Sequence, residues 1–201
     1  MYSLRSPSLI RVSETVESRK TCAVFTGQSS EYPGMYKHLL QDPTFFRVVE
    51  KADEVYAALG QQPISKYLKG EDIRTLSTPA LFTVQVALFE MLRETGFEPD
   101  YLTGFSFGEY AALSCAGVIS FKDALALIHY RELHSPPAGE LGKLLAVTAS
   151  PEKIATILRE TAFSIAGKNS PRQTLIATAH PDQVQKMLQG VRTLVVDVDQ
   201  P

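Results

Sequence analysis

The 201-residue chain has no tryptophan and only two cysteines, Cys22 and Cys115. Two thiols cannot build a disulfide framework, and no Cys/His spacing resembles a metal site. Charge of one sign is also lacking. The 20 basic and 22 acidic residues leave a formal charge of −2, which gives no electrostatic reason to expect nucleic acid or a membrane surface as partner. Residues 1–20 carry scattered Ser, Arg and Glu with no apolar stretch. They do not read as a secretory signal and are expected to be a tail or a linker from a preceding domain. Charges interrupt every long apolar run, so no membrane span is predicted. Repeats and low-complexity tracts are missing too. What is present, 44% hydrophobic and 21% charged residues, suits one or two globular domains with a real core. A reducing cytoplasm is the expected compartment.

The stretch Gly104-Phe105-Ser106-Phe107-Gly108-Glu109-Tyr110 organises the rest. It reads Gly-x-Ser-x-Gly. A short strand, Pro99-Asp100-Tyr101-Leu102-Thr103, leads in, and a helix-forming run to Ala116 leads out before Gly117. A serine at a sharp strand-to-helix turn is a nucleophile elbow, and its glycines keep bulk out of the turn. The hydroxyl of Ser106 would stand exposed near a helix N-terminus, where free N–H groups favour developing negative charge. The bare pattern equally fits a serine in an ordinary Gly-rich turn.

From the N-terminal end, Thr21 to Phe25 reads as a buried strand that runs into the turn-rich loop Thr26-Gly27-Gln28-Ser29-Ser30-Glu31-Tyr32-Pro33-Gly34. Such a loop at a strand's C-terminal edge can carry chemistry, although turn chemistry alone favours a plain turn. Asp42 caps a helix opened by Pro43, with a core stripe of Phe45, Val48, Val49, Ala52, Val55, Tyr56 and Leu59 up to Gly60. A minor helix around Ile64, Tyr67 and Leu68 follows. Thr78 is then expected to cap a buried helix from Pro79 to Thr95, closed by Gly96. The elbow helix carries the chain about 15 Å away from Ser106, and a helix capped by Ser120 brings it back by a similar length to Arg131. Arg131 can therefore lie level with Ser106, or be a solvated arginine at a helix end. Beyond Pro136-Pro137, strands near Leu144–Val147, Phe163–Ala166, Thr174–Ala177 and Leu194–Val198 alternate with helices opened by Pro151 and Pro181. A turn is expected over Gly167-Lys168-Asn169-Ser170-Pro171. The order βαββαβ matches a ferredoxin-like unit.

These residues resemble malonyl-CoA:acyl-carrier-protein transacylase and the acyltransferase domains of polyketide and fatty-acid synthases. The resemblance is carried by 25–35, by Pro79-Ala80-Leu81-Phe82-Thr83-Val84-Gln85, by the elbow through Gly117-Val118-Ile119 to Arg131, and by Asn169-Ser170-Pro171. It implies an α/β fold: a hydrolase-like larger subdomain over 21–140 with the nucleophile elbow, and a ferredoxin-like smaller one over 141–201. It also implies ping-pong acyl transfer with no bound cofactor. Ser106 would take a malonyl-type group from CoA and pass it to the phosphopantetheine thiol of an acyl carrier protein. The backbone N–H groups of Gln28 and Phe107 would hold the oxyanion, and Arg131 would pair with the acyl group's free carboxylate.

Three positions depart from that pattern. Phe105 stands where the family usually has histidine, and Thr78 where it usually has glutamine before Pro79. The family's general-base histidine follows the last strand of the smaller subdomain, where this sequence reads Asp197-Val198-Asp199-Gln200-Pro201. None of His38, His129, His134 and His180 occupies the base position. The expectation is thus an acyltransferase lacking the family's C-terminal return and base, with little transfer from these 201 residues alone. A complementary polypeptide or a neighbouring synthase domain would be its partner. An acyl-thioester hydrolase and a non-catalytic carrier-binding scaffold are the alternatives. A carboxylate clamp argues against the hydrolase, and the intact Gly27, Gln28, Ser106 and Arg131 argue against the scaffold.

Overall fold

Two strands define the larger part. β1 (Cys22–Phe25) and β2 (Tyr101–Gly104) pair in parallel, with Cys22 opposite Tyr101 and Phe25 opposite Gly104. The structure, a computed structural model, describes residues 20–28, 31–134, 142–159 and 161–196. Of the expected tail over 1–20, only Lys20 is among them, and it pairs with Asp100 at 2.7 Å on the surface.

Parallel strands need a long crossover, and three helices fill it. α1 (Pro43–Ala58) begins as expected, with the Asp42 carboxylate accepting from the N–H groups of Thr44 and Phe45. Its stripe of Phe45, Val48, Val49, Ala52 and Tyr56 is buried. Asp42→Ala removes both cap bonds and is expected to cost about 1 kcal/mol, read as a lowered midpoint in urea unfolding. α2 (Ile64–Lys69) is the minor helix, and Gly70 ends it in the left-handed region.

α3 (Ser77–Glu94) corrects the expected cap. The helix starts before Pro79, no side chain caps it, and Thr78 lies inside its first turn. The Thr78 hydroxyl instead donates to Glu132 Oε1 at 2.9 Å. A competing tertiary partner has taken the side chain that local propensity assigned to the backbone. Arg74–Glu94 also differs from the expectation that charges interrupt every long apolar run, since an 18-residue window within it has a mean hydropathy of 1.3, apolar enough by length and composition to cross a bilayer. It is two-thirds buried against the protein, however (67%), which is how a central core helix behaves.

α4 (Gly108–Cys115) leaves the elbow, and Gly117 (φ 72) turns the chain back. In α5 (Phe121–His134) the Ser120 hydroxyl accepts from the Asp123 N–H at 3.0 Å and donates to its carboxylate at 2.6 Å. The core of this part includes Phe25, Phe45, Tyr56, Phe82, Phe89, Phe107, Leu125 and Ile128. Burial pushes the Cys115 thiol up to about 12, so it is protonated at neutral pH and serves as packing.

A second core, with Leu145, Val147, Ile154, Ile176, Val184 and Leu188, belongs to the C-terminal part. There β3 (Lys143–Val147), α6 (Pro151–Ile157), β4 (Ser164–Ser170), β5 (Gln173–Thr178), α7 (Pro181–Met187) and β6 (Thr193–Val196) follow the predicted order. The strands form an antiparallel sheet, β4-β5-β3-β6. That is the strand order of the ferredoxin-like unit. The expected turn is smaller than predicted: Gly167, Lys168, Asn169 and Ser170 belong to β4. Irregularities between Ile165 and Gly167 and between Lys168 and Ser170 absorb the extra residues. Residues 197–201, and with them the end of the predicted last strand, lie outside the described residues. The fold is α/β, with a strand–turn–helix elbow in one part and a ferredoxin-like sheet in the other.

Candidate active site

Ser106 sits where β2 turns into α4, with a backbone φ of 53°. That left-handed conformation is costly for a residue with a Cβ, so the surroundings must enforce it. They do so with three backbone bonds. The Phe105 N–H donates to Phe25 O at 2.9 Å, Gly108 N–H to Phe105 O at 3.0 Å and Glu109 N–H to Ser106 O at 3.0 Å. Both motif glycines are sterically required. A Cβ on Gly104 would overlap the backbone of Gly108 and Glu109, and one on Gly108 would overlap the carbonyls of Phe25 and Thr26. The serine side chain is exposed while Phe107 behind it is buried.

The loop after β1 lies directly against this turn. A Cβ on Gly27 would be 3.1 Å from Phe105 O and 3.7 Å from Ser106 Cβ, so a larger residue would push the loop a few tenths of an ångström off the turn. Gln85 holds the loop from behind: its Nε2 donates to Thr26 O at 2.7 Å and to Thr26 Oγ1 at 3.1 Å. Sequence reasoning placed Gln85 on a core helix and gave it no role. The available signal was a lone amide in the apolar run from Pro79 to Ala87, since a buried amide needs a partner. Among the described residues, the backbone N–H groups of Gln28 and Phe107 make no hydrogen bond. Phe107 stands at the N-cap of α4.

Arg131 reaches this place from α5. Its Nη2 is 3.4 Å from Gln28 Oε1, and its guanidinium carbon stands 5.8 Å from the centroid of the Phe107 ring. One cation therefore reaches both Gln28 and Phe107. Arg131 lies in the last turn of α5 and is half-buried, so it is a helix-end arginine turned toward these residues and not a fully solvated one.

The histidines have other neighbours. His38 is near the Tyr36 ring, His129 meets Tyr56 edge-on at 5.6 Å, and His134 stacks on Tyr130 with Nδ1 2.8 Å from Tyr130 O. His180 occupies the N-cap position of α7 without a side-chain bond. Among the described residues, no histidine is hydrogen-bonded to Ser106, and no group of three or more His, Cys, Asp or Glu could hold a metal. Thr78 and Glu132, joined by their hydrogen bond, line a cleft of about 760 Å3 whose lining also includes Gln28.

Comparison with known proteins places this geometry. The profile of the family described as an acyl transferase domain matches residues 23–199. The phenolphthiocerol synthesis polyketide synthase of Mycobacterium marinum is 34% identical over 192 residues, covering 88% of this chain and 9% of the synthase. The malonyl CoA-acyl carrier protein transacylase of Synechocystis is 32% identical over 162 residues, covering 79% of this chain and 54% of that protein. The crystal structure of a Synechocystis malonyl-CoA:ACP transacylase superposes with a TM-score of 0.73 at 29% identity, over 90% of this chain and 63% of its own. The chain thus spans about half of the curated transacylase and a small part of the synthase. With the elbow, the glycine–glutamine loop and the arginine at one place on the fold, this chain belongs to the acyl transferase domain family.

Proposed function

We propose that this protein moves a malonyl-type acyl group from CoA to the phosphopantetheine thiol of an acyl carrier protein, through an acyl-enzyme on Ser106. The observation that carries the proposal is the position of Arg131 against both Gln28 and Phe107. Ser106 Oγ attacks the thioester carbonyl, a C–O bond forms, and its proton passes to solvent water or to a base carried by a complementary polypeptide, since no described histidine is bonded to the serine. The carbonyl oxygen becomes an oxyanion that the Gln28 and Phe107 N–H groups hold, aided by the N-terminal end of α4. The tetrahedral species collapses by breaking the C–S bond, and CoA leaves as the protonated thiol. The carrier's thiol then attacks the ester and regenerates the serine. No bound cofactor is needed, because CoA and phosphopantetheine are themselves donor and acceptor.

Arg131 supplies the selection. Its planar fork pairs with a carboxylate through two parallel bonds, and a group with a free carboxylate at the far end of the acyl chain meets it. A hydrolase of simple acyl esters gains nothing from that cation. The work suits a reducing cytoplasm, with Cys22 and Cys115 both free thiols. Because no described histidine is bonded to Ser106, malonyl-CoA and a holo acyl carrier protein, mixed with the purified protein, should give malonyl-carrier protein only slowly by mass spectrometry, and Ser106→Ala should give none above the protein-free rate. Equal transfer by wild type and Ser106→Ala would refute the proposal.

A further inference from the structure

A cavity of about 530 Å3 lies at the opposite end of α4 from the nucleophile turn, between α1, α3 and the start of α5. The eight residues of α4 separate it from that turn by about 12 Å. Neither Ser106, Gln28 nor Arg131 lines it. Depth sorts its lining by polarity. Val48 and Val86 are buried and Cys115, Ile119 and Phe121 half-buried, whereas Arg47, Lys51, Arg93 and Glu94 are exposed. The cavity therefore has an apolar floor under a charged rim.

The rim carries more positive charge than it can pair. Glu94 is already engaged, accepting from Thr44 Oγ1 and from Arg47 Nη2, the latter at 2.9 Å. The side chains of Lys51 and Arg93 form no ion pair or hydrogen bond among the described residues. One carboxylate, Glu90, remains to face them. Burial is the main cause of the raised Cys115 pKa, and Glu90 adds to it while Arg93 opposes it. Glu90 and Arg93 thus both act on the thiol of the floor. Two cations against one carboxylate leave a single positive charge unanswered.

A monoanion answers that charge, whereas a dianion such as a phosphate monoester adds excess negative charge beside Glu90. The guanidinium fork of Arg93 suits a carboxylate, which it can hold through two parallel bonds. The floor below gains most from a hydrocarbon chain that takes its place against the apolar side chains.

We propose that this cavity is a second binding site, for a straight-chain carboxylic acid of medium length. The carboxylate sits at Lys51 and Arg93, and the chain covers Val48, Val86, Ile119 and Phe121. Hydrolysis of an acyl thioester releases an acid of this class. The site stands apart from acyl transfer, since its residues are not those that surround Ser106.

Saturation-transfer NMR titrations of the intact protein with butanoate, hexanoate and octanoate test the proposal without turnover. Affinity should rise by up to about fourfold for each added methylene. Replacing both rim cations, Lys51→Gln with Arg93→Gln, should weaken octanoate about fivefold, the scale of an exposed ion pair. Arg131→Ala should leave octanoate binding as it is. Intermolecular NOEs should join the terminal methyl of octanoate to the methyls of Val48, Val86 or Ile119. Failure of octanoate to bind, affinity that does not grow with chain length, or affinity that the rim substitutions leave intact would overturn the site. Absence of those NOEs, or binding that falls in Arg131→Ala, would place the acid elsewhere and overturn it as well.

Discussion

Gly108→Ala should destroy the nucleophile site. The added methyl has nowhere to go, since it overlaps the backbone carbonyls of Phe25 and Thr26 at the end of β1. Backbone cannot rotate aside as a side chain can, so β1 and α4 must separate. Overpacking of this kind costs about 3 kcal/mol or more, a large share of the marginal stability of a domain. The separation also moves the two flanking N–H groups relative to Ser106, and displacements of about 1 Å can cost on the order of 10²-fold in rate. Unfolding in urea should show a lowered midpoint, and acylation by malonyl-CoA should fall below detection. Gly117→Ala is the control. Gly117, unlike Gly108, has a positive φ, but a Cβ there meets nothing within 4 Å, so its cost is backbone strain alone and acylation should persist. If Gly108→Ala acylates like wild type, the elbow is looser than its backbone bonds indicate.

Arg131→Ala should change the substrate rather than the fold. The side chain is half-buried, and its contacts include Gln28 Oε1 and the Phe107 ring. Truncating one partner of a charged pair costs a few kcal/mol, so malonyl-CoA should lose about 100-fold or more in kcat/KM. Acetyl-CoA has no carboxylate to pair, and its already slow use should change little. Lysine is not expected to rescue, because it offers a point charge in place of the planar fork. Equal losses on both thioesters would mean that Arg131 serves the structure of the loop.

The positions of these two residues were legible to different degrees in the sequence. Gly104, Ser106 and Gly108 declare a turn by their spacing, and the left-handed φ of Ser106 is the conformation that such a turn demands. Arg131 was bracketed by helix lengths alone, because two antiparallel helices of similar length return the chain to its starting level. Its partner could not be foreseen, since the contact with Gln28 spans 103 residues. Thr78 was misread for the same reason. Its local context, a threonine before a proline at a helix start, is that of a cap, and only the folded chain brings Glu132 to it. Asn169 and Ser170 look like turn residues and yet lie in β4, because bulges absorb the irregularity that composition reported as a turn. Gln85 shows the same limit: a helical period registers its burial but not the Thr26 carbonyl it serves.

Ser106, the backbone N–H groups of Gln28 and Phe107, and the Arg131 guanidinium all lie among the described residues. The central claim is therefore best tested at the first half-reaction. Labelled malonyl-CoA, incubated with the protein and followed by acid quench and peptide mapping, should place a single malonyl ester on Ser106, with none in Ser106→Ala. Label on another residue, or labelling that is unchanged in Ser106→Ala, would contradict the account.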